Sequence, residues 1–418
     1  MPPDLKYPSF LNLARWKNVA YQVFNLGVGG ILLLGIWMFL GRSWGPDIFG
    51  RFSYMYAYAS LYGIFSDIGS DILAARITAE KQGIPKNLLT LKLIILFANF
   101  LIFMFAGLML DMELFPLFFF LSGVAALSFC SFLNGILRGC HRLDIEARIG
   151  IVQKTIFAAI AVIGCLYWRF SIPGVSAAYF TSQFLGLALT IYGVWRYLQI
   201  SAECSRIYPL LKALFALWVI SLWGMVYLRL DFFMIERFLG SQALGYFSMP
   251  FKIWEGCMLM ATAYLAAVFP RFVENKARPS LLSSMLARSV ILLFSVGAVA
   301  GLSLALSGGY AFDILFEGSY GPSKIIINTL FPLMPLAYVS GCLGIFLIAL
   351  SRERIYAILL TMGFIVHVSA DLFLVEKWGI TGAVAGNWIR EVFLLTCLSF
   401  SVRAVLKEMS GGKDFNSA

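Results

Sequence analysis

The chain has 418 residues, of which 60% are hydrophobic and 13% are charged, and its formal net charge at pH 7 is +10. A soluble domain carries about 25% charged residues, so this composition excludes a water-exposed globule. Long apolar runs recur along the sequence, and a bilayer core requires about 20 apolar residues for each helical span. Because the runs are continuous rather than alternating, they predict an all-α integral membrane protein and not a barrel.

We predict twelve transmembrane helices, taken in chain order from the apolar runs. The first run is too long for a signal peptide and lacks a small-residue cleavage site, so we expect it to remain in the mature protein. The predicted spans are 19–40, 52–75, 91–110, 114–137, 149–168, 175–195, 214–235, 246–269, 289–307, 325–350, 355–374 and 380–400.

The Lys and Arg residues fall mostly in one set of alternating loops, which indicates that these loops and both termini face the cytoplasm. This bias, together with affinity for anionic lipids, explains the positive net charge, so we expect no nucleic-acid partner. The seven cysteines predict no disulfide framework. Cys140 and His141 stand next to each other without a second pair of ligands nearby, and we expect neither a metal site nor a cofactor.

One motif occurs twice in the sequence. GPDIFGRFS at 45–53 and GSQALGYFS at 240–248 lie 195 positions apart, and each follows Phe-Leu-Gly. Gly50 and Gly245 occupy matching positions, where glycine permits tight turns and close helix approach. We assign these glycines a structural role and no chemistry.

Two weaker matches follow in the same order. SIPGVSAA from Ser171 matches GITGAVAG from Gly379, and RLDIEA from Arg142 matches RERIYA from Arg352. Internal repeats of this kind predict duplicated architecture, here two parallel six-helix halves around a central cleft. The predicted halves are 1–198 and 213–402, joined by a cytoplasmic linker at 199–212 and followed by a cytoplasmic tail at 403–418.

These motifs resemble the polysaccharide-export and oligosaccharide-flippase family. The resemblance rests on the repeated motif, on SDIGSDILAAR at 66–76, on LRLDFFMIERFLGSQALGYFSMPFKIWEG at 228–256 and on GITGAVAG, and it covers nearly the full length. The same superfamily contains the multidrug extruders and the lipid II flippase, which usually carries two additional helices. The resemblance implies a bacterial inner-membrane flippase that moves polyprenyl-pyrophosphate-linked oligosaccharides to the periplasmic leaflet, for surface polysaccharides such as the O-antigen of lipopolysaccharide. Glycan polymerase or ligase machinery is an implied partner.

Ionisable residues inside the apolar runs are candidates for function, because a charge at bilayer depth costs at least about 2.5 kcal/mol. Cationic side chains suit a phosphate-bearing substrate. The candidates for a cationic cavity are Arg229, Lys252, Arg390 and Lys154. The alternatives stay open: Arg229 and Lys252 also fit structural ion pairs with Asp231 and Glu255, and Lys154 also fits snorkelling to the headgroups, which we expect of Lys92.

Acidic residues and one histidine form a second set of candidates, for ion coupling or gating by H⁺ or Na⁺. Asp67 and Asp71 are four residues apart and are predicted on one helix face, where neighbouring carboxylates share protons. A structural role in capping helix ends or meeting Arg76 is the alternative. The remaining candidates are Asp231, Glu255, His367, Asp371 and Glu391, of which Glu391 is predicted not to pair with its neighbour Arg390. For His367 the alternative is a buried histidine that is only hydrogen-bonded.

Three functions compete at this point. The cationic candidates favour an anionic substrate and hence a flippase working by alternating access, with Pro332 and Pro335 as a candidate bending point. A cation-coupled multidrug extruder of the same superfamily would favour acidic cavity residues. A membrane enzyme of glycan assembly would need a larger external loop than 308–324, so we predict no enzymatic activity.

Overall fold

A computed structural model describes residues 13–79, 84–198, 200–201, 218, 222, 225–226 and 229–410. Nearly all of these residues are helical, as predicted. The chain divides into two compact units, one formed by Met1–Leu33 and Phe65–Phe215, the other by Leu34–Ile64 and Ala216–Ala418. The predicted linker at 199–212 lies almost wholly outside the described residues, so the boundary between the predicted halves stays a prediction. Residues 403–410 of the predicted tail continue the last helix.

The first unit is built around a helical core. Leu73 and Ile77, Leu88, and Phe132 and Ile136 come from three successive helices and pack in one buried cluster. Helix α1 (Leu13–Asp67) contributes its two ends to this unit. The other elements are α2 (Ser70–Ala79), α3 (Lys86–Met109), α4 (Leu114–Gly139), α5 (Leu143–Trp168), α6 (Ile172–Val194) and a short parallel pair, β1 (Ile84–Pro85) with β2 (Ile200–Ser201), in which Ile84 lies opposite Ile200.

The helix predicted at 52–75 is broken in the first unit. Helix α1 ends at Asp67 and α2 begins at Ser70, because Ile68 and Gly69 both have positive φ, +47° and +68°. A left-handed conformation is costly for a β-branched residue such as isoleucine. The break therefore contradicts the prediction that Asp67 and Asp71 share one face of a continuous helix.

The second unit holds residues 34–64 of α1 and most of the remaining helices. Pro332 lies in a 3-10 turn, Phe331–Leu333, which confirms the predicted interruption of the tenth span. The other helices are α7 over the described residues 229–239, α8 (Ser241–Glu274), α9 (Pro279–Phe316), α10 (Ser323–Leu330), α11 (Met334–Ala349), α12 (Glu353–Trp378) and α13 (Ile380–Ser410).

The repeated motif has one backbone conformation in both copies. Gly45 has φ and ψ of +72° and 175°, and Gly240 has +81° and 175°. The two copies also contact each other reciprocally within the second unit. A Cβ atom on Gly50 would lie 1.7 Å from the carbonyl oxygen of Ser241, and one on Gly245 would lie 1.8 Å from that of Pro46. Glycine is therefore required at both positions to let the two backbones meet.

A second predicted repeat is also present in the backbone. His141 and Ser351, one residue before the matching arginines, have φ of +57° and +60°. Each arginine amide then closes the preceding helix in the same way: Arg142 N donates to Leu137 O at 2.8 Å, and Arg352 N donates to Leu347 O at 2.9 Å. The sequence match at these junctions thus reflects equal local structure.

Among the described residues, nine helices are long and apolar enough to cross a membrane. The chain is therefore a multi-pass membrane protein. The first of the nine, Gly27–Ala79, covers two predicted spans that Gly45 separates. Half of the predicted span at 214–235 lies outside the described residues, and α13 is not among the nine, so the total of twelve stays a prediction.

Apolar side chains cover the outer surfaces of several helices. On α3, Phe97, Leu101 and Phe105 are each more than half exposed. They recur every four residues and so form one stripe. On a soluble protein such a stripe would be unfavourable, whereas lipid tails solvate it. We infer that this face of α3 contacts lipid.

Candidate functional site

Two buried polar clusters lie in the second unit, and α7 contributes to both. The first, which we call the cationic cluster, consists of Arg229 on α7 and of Lys252 and Glu255 on α8. Arg229 Nη1 lies 2.8 Å from Glu255 Oε1, and Lys252 Nζ lies 2.8 Å from Glu255 Oε2. One carboxylate thus neutralises one of two cations, and the cluster keeps an excess positive charge.

Aromatic rings surround the cations of this cluster. Lys252 Nζ lies 5.5 Å from the ring centre of Trp37 and 5.1 Å from that of Tyr56. Arg229 lies 5.5 Å from the ring centre of Phe232. Both cations are 6% exposed. The faces of aromatic rings attract cations, so the rings stabilise the ammonium without neutralising it.

Arg229 has spare hydrogen-bonding capacity. Its Nε atom is buried and has no hydrogen-bond partner among the described residues. An unsatisfied buried donor costs about 1–3 kcal/mol, and more when it is charged. A buried guanidinium donor and an excess positive charge together are the features that an anionic ligand would satisfy.

The second cluster, which we call the acidic cluster, is centred on His367 of α12. His367 Nε2 lies 2.8 Å from Asp231 Oδ1 and 2.9 Å from Asp371 Oδ2. Asn387 of α13 donates to Asp231 Oδ2 at 2.7 Å. Asp231, His367 and Asp371 are completely buried. Gly386 provides the space, because a Cβ atom there would lie 1.9 Å from Asp371 Oδ1.

Arg390 determines the tautomer of the histidine. Its Nη1 lies 3.1 Å from His367 Nδ1, and a guanidinium can only donate, so Nδ1 accepts and the ring hydrogen lies on Nε2. Arg390 Nη2 also lies 3.4 Å from Glu391 Oε2. The prediction that these neighbours do not pair is therefore wrong, because their long side chains span the 100° between their positions on the helix.

The acidic cluster contains more carboxyl groups than guanidinium groups. Three carboxylates, those of Asp231, Asp371 and Glu391, accompany the single guanidinium of Arg390. The donor atoms of Asp231, His367 and Asp371 lie within 4.8 Å of one another, a spacing that could hold a cation. Because Nε2 carries hydrogen in this arrangement, the histidine offers no lone pair to a metal. The carboxylates remain, and none of the described residues donates a hydrogen bond to Asp371 Oδ1.

The other candidates lie in the first unit, each with its own surroundings. Asp67 pairs with Lys92 at 3.1 Å, and Asp71 pairs with Arg138 at 3.0 Å. The two aspartates therefore do not form the predicted proton-sharing pair. Lys154 is half-buried, and its side chain lies against the backbone of α1.

The structure thus separates residues that the sequence grouped. Arg229 and Lys252 share one cluster, Arg390 belongs to the acidic cluster, and Lys154 lies in the other unit. Sequence reasoning was wrong about Lys92, which is 2% exposed and bonded inside the protein rather than snorkelling. It also missed Arg138, whose guanidinium bonds Asp71 and Glu146. The available signal for Lys92 was Asn99, a second polar residue seven positions further along the apolar helix α3.

Comparison with protein families is decisive for the identity of the chain. A family model described as "Polysaccharide biosynthesis protein" matches residues 15–276, which is more than half of the chain. The chain belongs to this family. No curated protein matches the chain significantly.

Solved structures show the same fold at low sequence identity. An inward-facing multidrug resistance MATE family transporter of the MOP superfamily is 13% identical, with a TM-score of 0.72 over 96% of this chain and 99% of that one. An outward-facing structure of such a transporter is 15% identical, with a TM-score of 0.69 over 95% and 97%. A MOP superfamily transporter from Pyrococcus furiosus, described as having a binding pocket of reverse polarity, is 15% identical, with a TM-score of 0.68 over 94% and 96%. The chain therefore has a MATE-type transporter fold.

Proposed function

We propose that the protein is a flippase for polyprenyl-pyrophosphate-linked oligosaccharides. It moves them from the cytoplasmic to the periplasmic leaflet of a bacterial inner membrane by alternating access, with both termini in the cytoplasm. A pyrophosphate with attached sugars is too polar to cross hydrocarbon unaided, so a protein must supply a polar path. The polysaccharide biosynthesis family and the transporter fold both support this role.

The cationic cluster is the observation that carries the proposal. Arg229 and Lys252 are two buried cations with one carboxylate, and Arg229 Nε is unsatisfied. A pyrophosphate would supply the missing negative charge and the acceptor oxygens. Glu255 holds the two cations together while substrate is absent, and the phosphate oxygens compete with it.

The acidic cluster has a different proposed role, in coupling. Its three carboxyl groups would take up a cation, either H⁺ or Na⁺, when an ion gradient is present. Arg390, which the sequence grouped with the cationic cavity, is on this reasoning the internal counter-charge of Asp231, Asp371 and Glu391. Lys154 belongs to neither cluster, and its contact with the substrate stays a proposal.

A cation-coupled multidrug extruder is the second candidate. The acidic cluster favours it, because buried carboxylates such as Asp231 and Asp371 attract cationic drugs. The structural neighbours include multidrug resistance transporters. The two functions differ in the charge of the substrate and therefore in the cluster that binds it.

A flipping assay in proteoliposomes tests the proposal. The vesicles contain a polyprenyl-pyrophosphate oligosaccharide in the inner leaflet, and an added glycosidase reports its appearance in the outer leaflet. We expect protein-dependent exposure, faster under an imposed H⁺ or Na⁺ gradient. Lys252→Met should reduce the rate at least about tenfold, since a lost charge-assisted bond to phosphate is worth about 1.5–3 kcal/mol.

Matched variants assign the result to the clusters. Lys377→Met, which removes an exposed lysine at the end of α12, should flip at the wild-type rate. Asp371→Asn should leave basal flipping intact and abolish its response to the gradient. A folded wild-type protein that exposes no glycan, but accumulates a cationic dye in a manner lost with Asp371→Asn, would establish the extruder instead.

A further inference from the structure

The break between α1 and α2 creates a set of oxygen atoms that need partners. Because Ile68 and Gly69 leave the helix, the last carbonyl groups of α1 have no intrahelical donors. The end of α1 is also the negative end of its dipole, which favours a cation. In transporters, such helix ends commonly coordinate sodium.

Helix α3 presents two polar side chains to this break. Asn99 Nδ2 donates to the carbonyl oxygen of Phe65 at 2.8 Å, and Lys92 Nζ donates to that of Ser66 at 2.9 Å. Lys92 and Asn99 are seven residues apart and so share one face of α3. The neighbouring positions on this face, Leu88, Leu96 and Phe103, are apolar, and both polar side chains bond to the break.

The ammonium of Lys92 has a complete set of oxygen partners. Besides Ser66 O, it donates to Asp67 Oδ1 at 3.1 Å and to Ser128 Oγ at 2.8 Å. Ser128 Oγ in turn donates to Asp67 Oδ1 at 2.6 Å. An ammonium has three N–H groups, and here each has one acceptor. A carbonyl, a carboxylate and a hydroxyl are the oxygen ligands that hard cations bind.

Further oxygen atoms lie at the same place without partners. The hydroxyls of Ser66 and Ser70 are buried, and neither has a hydrogen-bond partner in the part of the chain that the structure describes. Both serines line a small cavity together with Asp67 and Lys92. The cavity has a volume of about 10 Å³, which leaves room for about one water molecule. The site thus has more oxygen atoms than the ammonium uses.

We propose that the break between α1 and α2 is a monovalent-cation site and that the Lys92 ammonium is its tethered occupant. Asp67 supplies one negative charge, so one positive charge completes the site, and the lysine supplies it permanently. Lys92 therefore excludes free sodium from this site. Removing the side chain leaves the carboxylate, the carbonyl and three hydroxyls around an open space, and sodium then binds there.

The proposal concerns the first unit and does not depend on the flippase role. It differs from a simple capping role for Lys92 in one respect. A lost cap destabilises the protein equally in every salt, whereas an opened cation site makes the stability depend on the identity of the ion.

Thermal unfolding of Lys92→Ala in detergent tests this, with NaCl, KCl and choline chloride at equal ionic strength. We expect the melting temperature in NaCl to exceed that in choline chloride by about 2–4 °C more than it does for the wild type. The comparison with the wild type removes any sodium response of the acidic cluster. Adding Asp67→Asn to Lys92→Ala should abolish the increment, because the ligand charge is gone.

Each outcome decides the matter. A folded Lys92→Ala protein with equal melting temperatures in the three salts overturns the proposal and leaves Lys92 as a cap. If Lys92→Ala aggregates, Lys92→Ser, which retains a hydroxyl, is extracted in sodium and in choline. If Lys92→Ser is folded in sodium but aggregates in choline, the cation site is supported. If Lys92→Ala and Lys92→Ser both aggregate in both salts, the proposal is contradicted.

Discussion

The cationic cluster predicts an asymmetry between two neutralising substitutions on α8. Glu255→Gln removes the single carboxylate and leaves Arg229 and Lys252 as two buried cations. Lys252→Met removes one cation and leaves Arg229 with Glu255 as a balanced pair, while the methionine retains most of the packing of the lysine stem. The first change raises the net charge of the cluster from +1 to +2, and the second lowers it to zero.

The expected magnitudes follow from burial and geometry. Both bonds to Glu255 are 2.8 Å long, and both cations are 6% exposed. Leaving buried charges without their partner costs about 3–5 kcal/mol, which we expect for Glu255→Gln. Lys252→Met loses the cation–π contacts with Trp37 and Tyr56 and one charge-assisted bond, but it relieves the repulsion from Arg229. We expect a net cost of about 1 kcal/mol for it.

Denaturant unfolding in detergent micelles, followed by tryptophan fluorescence, measures the two free energies of unfolding. In the double variant, Lys252→Met should recover part of the stability that Glu255→Gln loses, because only Arg229 then lacks a partner. Equal destabilisation by the two single variants would refute the charge count. A double variant whose cost is the sum of both would show that the residues act independently.

Two further predictions concern other parts of the chain. Gly245→Ala should destabilise the protein by about 3 kcal/mol or more, because the new Cβ atom would overlap the Pro46 carbonyl group. Gly27→Ala is the matched control and should be neutral, because a Cβ atom there meets nothing within 4 Å. Thermal unfolding of the two variants compares their stabilities. Arg138→Ala should lower the free energy of unfolding by about 2 kcal/mol, because Asp71 and the buried Glu146 lose the guanidinium that pairs with them. Arg138→Lys should restore part of this stability, because it keeps the positive charge. Unfolding of both variants is compared with that of the wild type.

Sequence reasoning succeeded where a pattern has one physical solution. Long apolar runs can only be buried in lipid as helices, and the nine apolar helices among the described residues follow them. The close helix approach predicted at Gly50 and Gly245 is confirmed, whereas the positive φ of the turns lies at Gly45 and Gly240 instead. Candidate polar residues were also found, because charges in apolar runs are rare.

The partners of those charges were beyond the sequence. Asp231 and Arg229 are two residues apart on α7 and therefore point to different sides, one to His367 and the other to Glu255. Which distant helix supplies each partner depends on packing, which a single helix does not encode. The break after Asp67 was missed because Ile68, a β-branched residue, gives no sequence signal for a left-handed conformation.

The reciprocal contact of the two glycine motifs has a consequence for the origin of the chain. Gly50 meets Ser241, and Gly245 meets Pro46, the position that matches Ser241 in the other copy. Because the contact joins two copies of the same motif, two identical chains can form it with each other. An ancestral polypeptide of half this length, with one copy of the motif, could thus have assembled as a parallel homodimer before gene fusion joined the two copies. After the fusion, the two copies could diverge in sequence, and the cationic and acidic clusters could arise in the second unit alone.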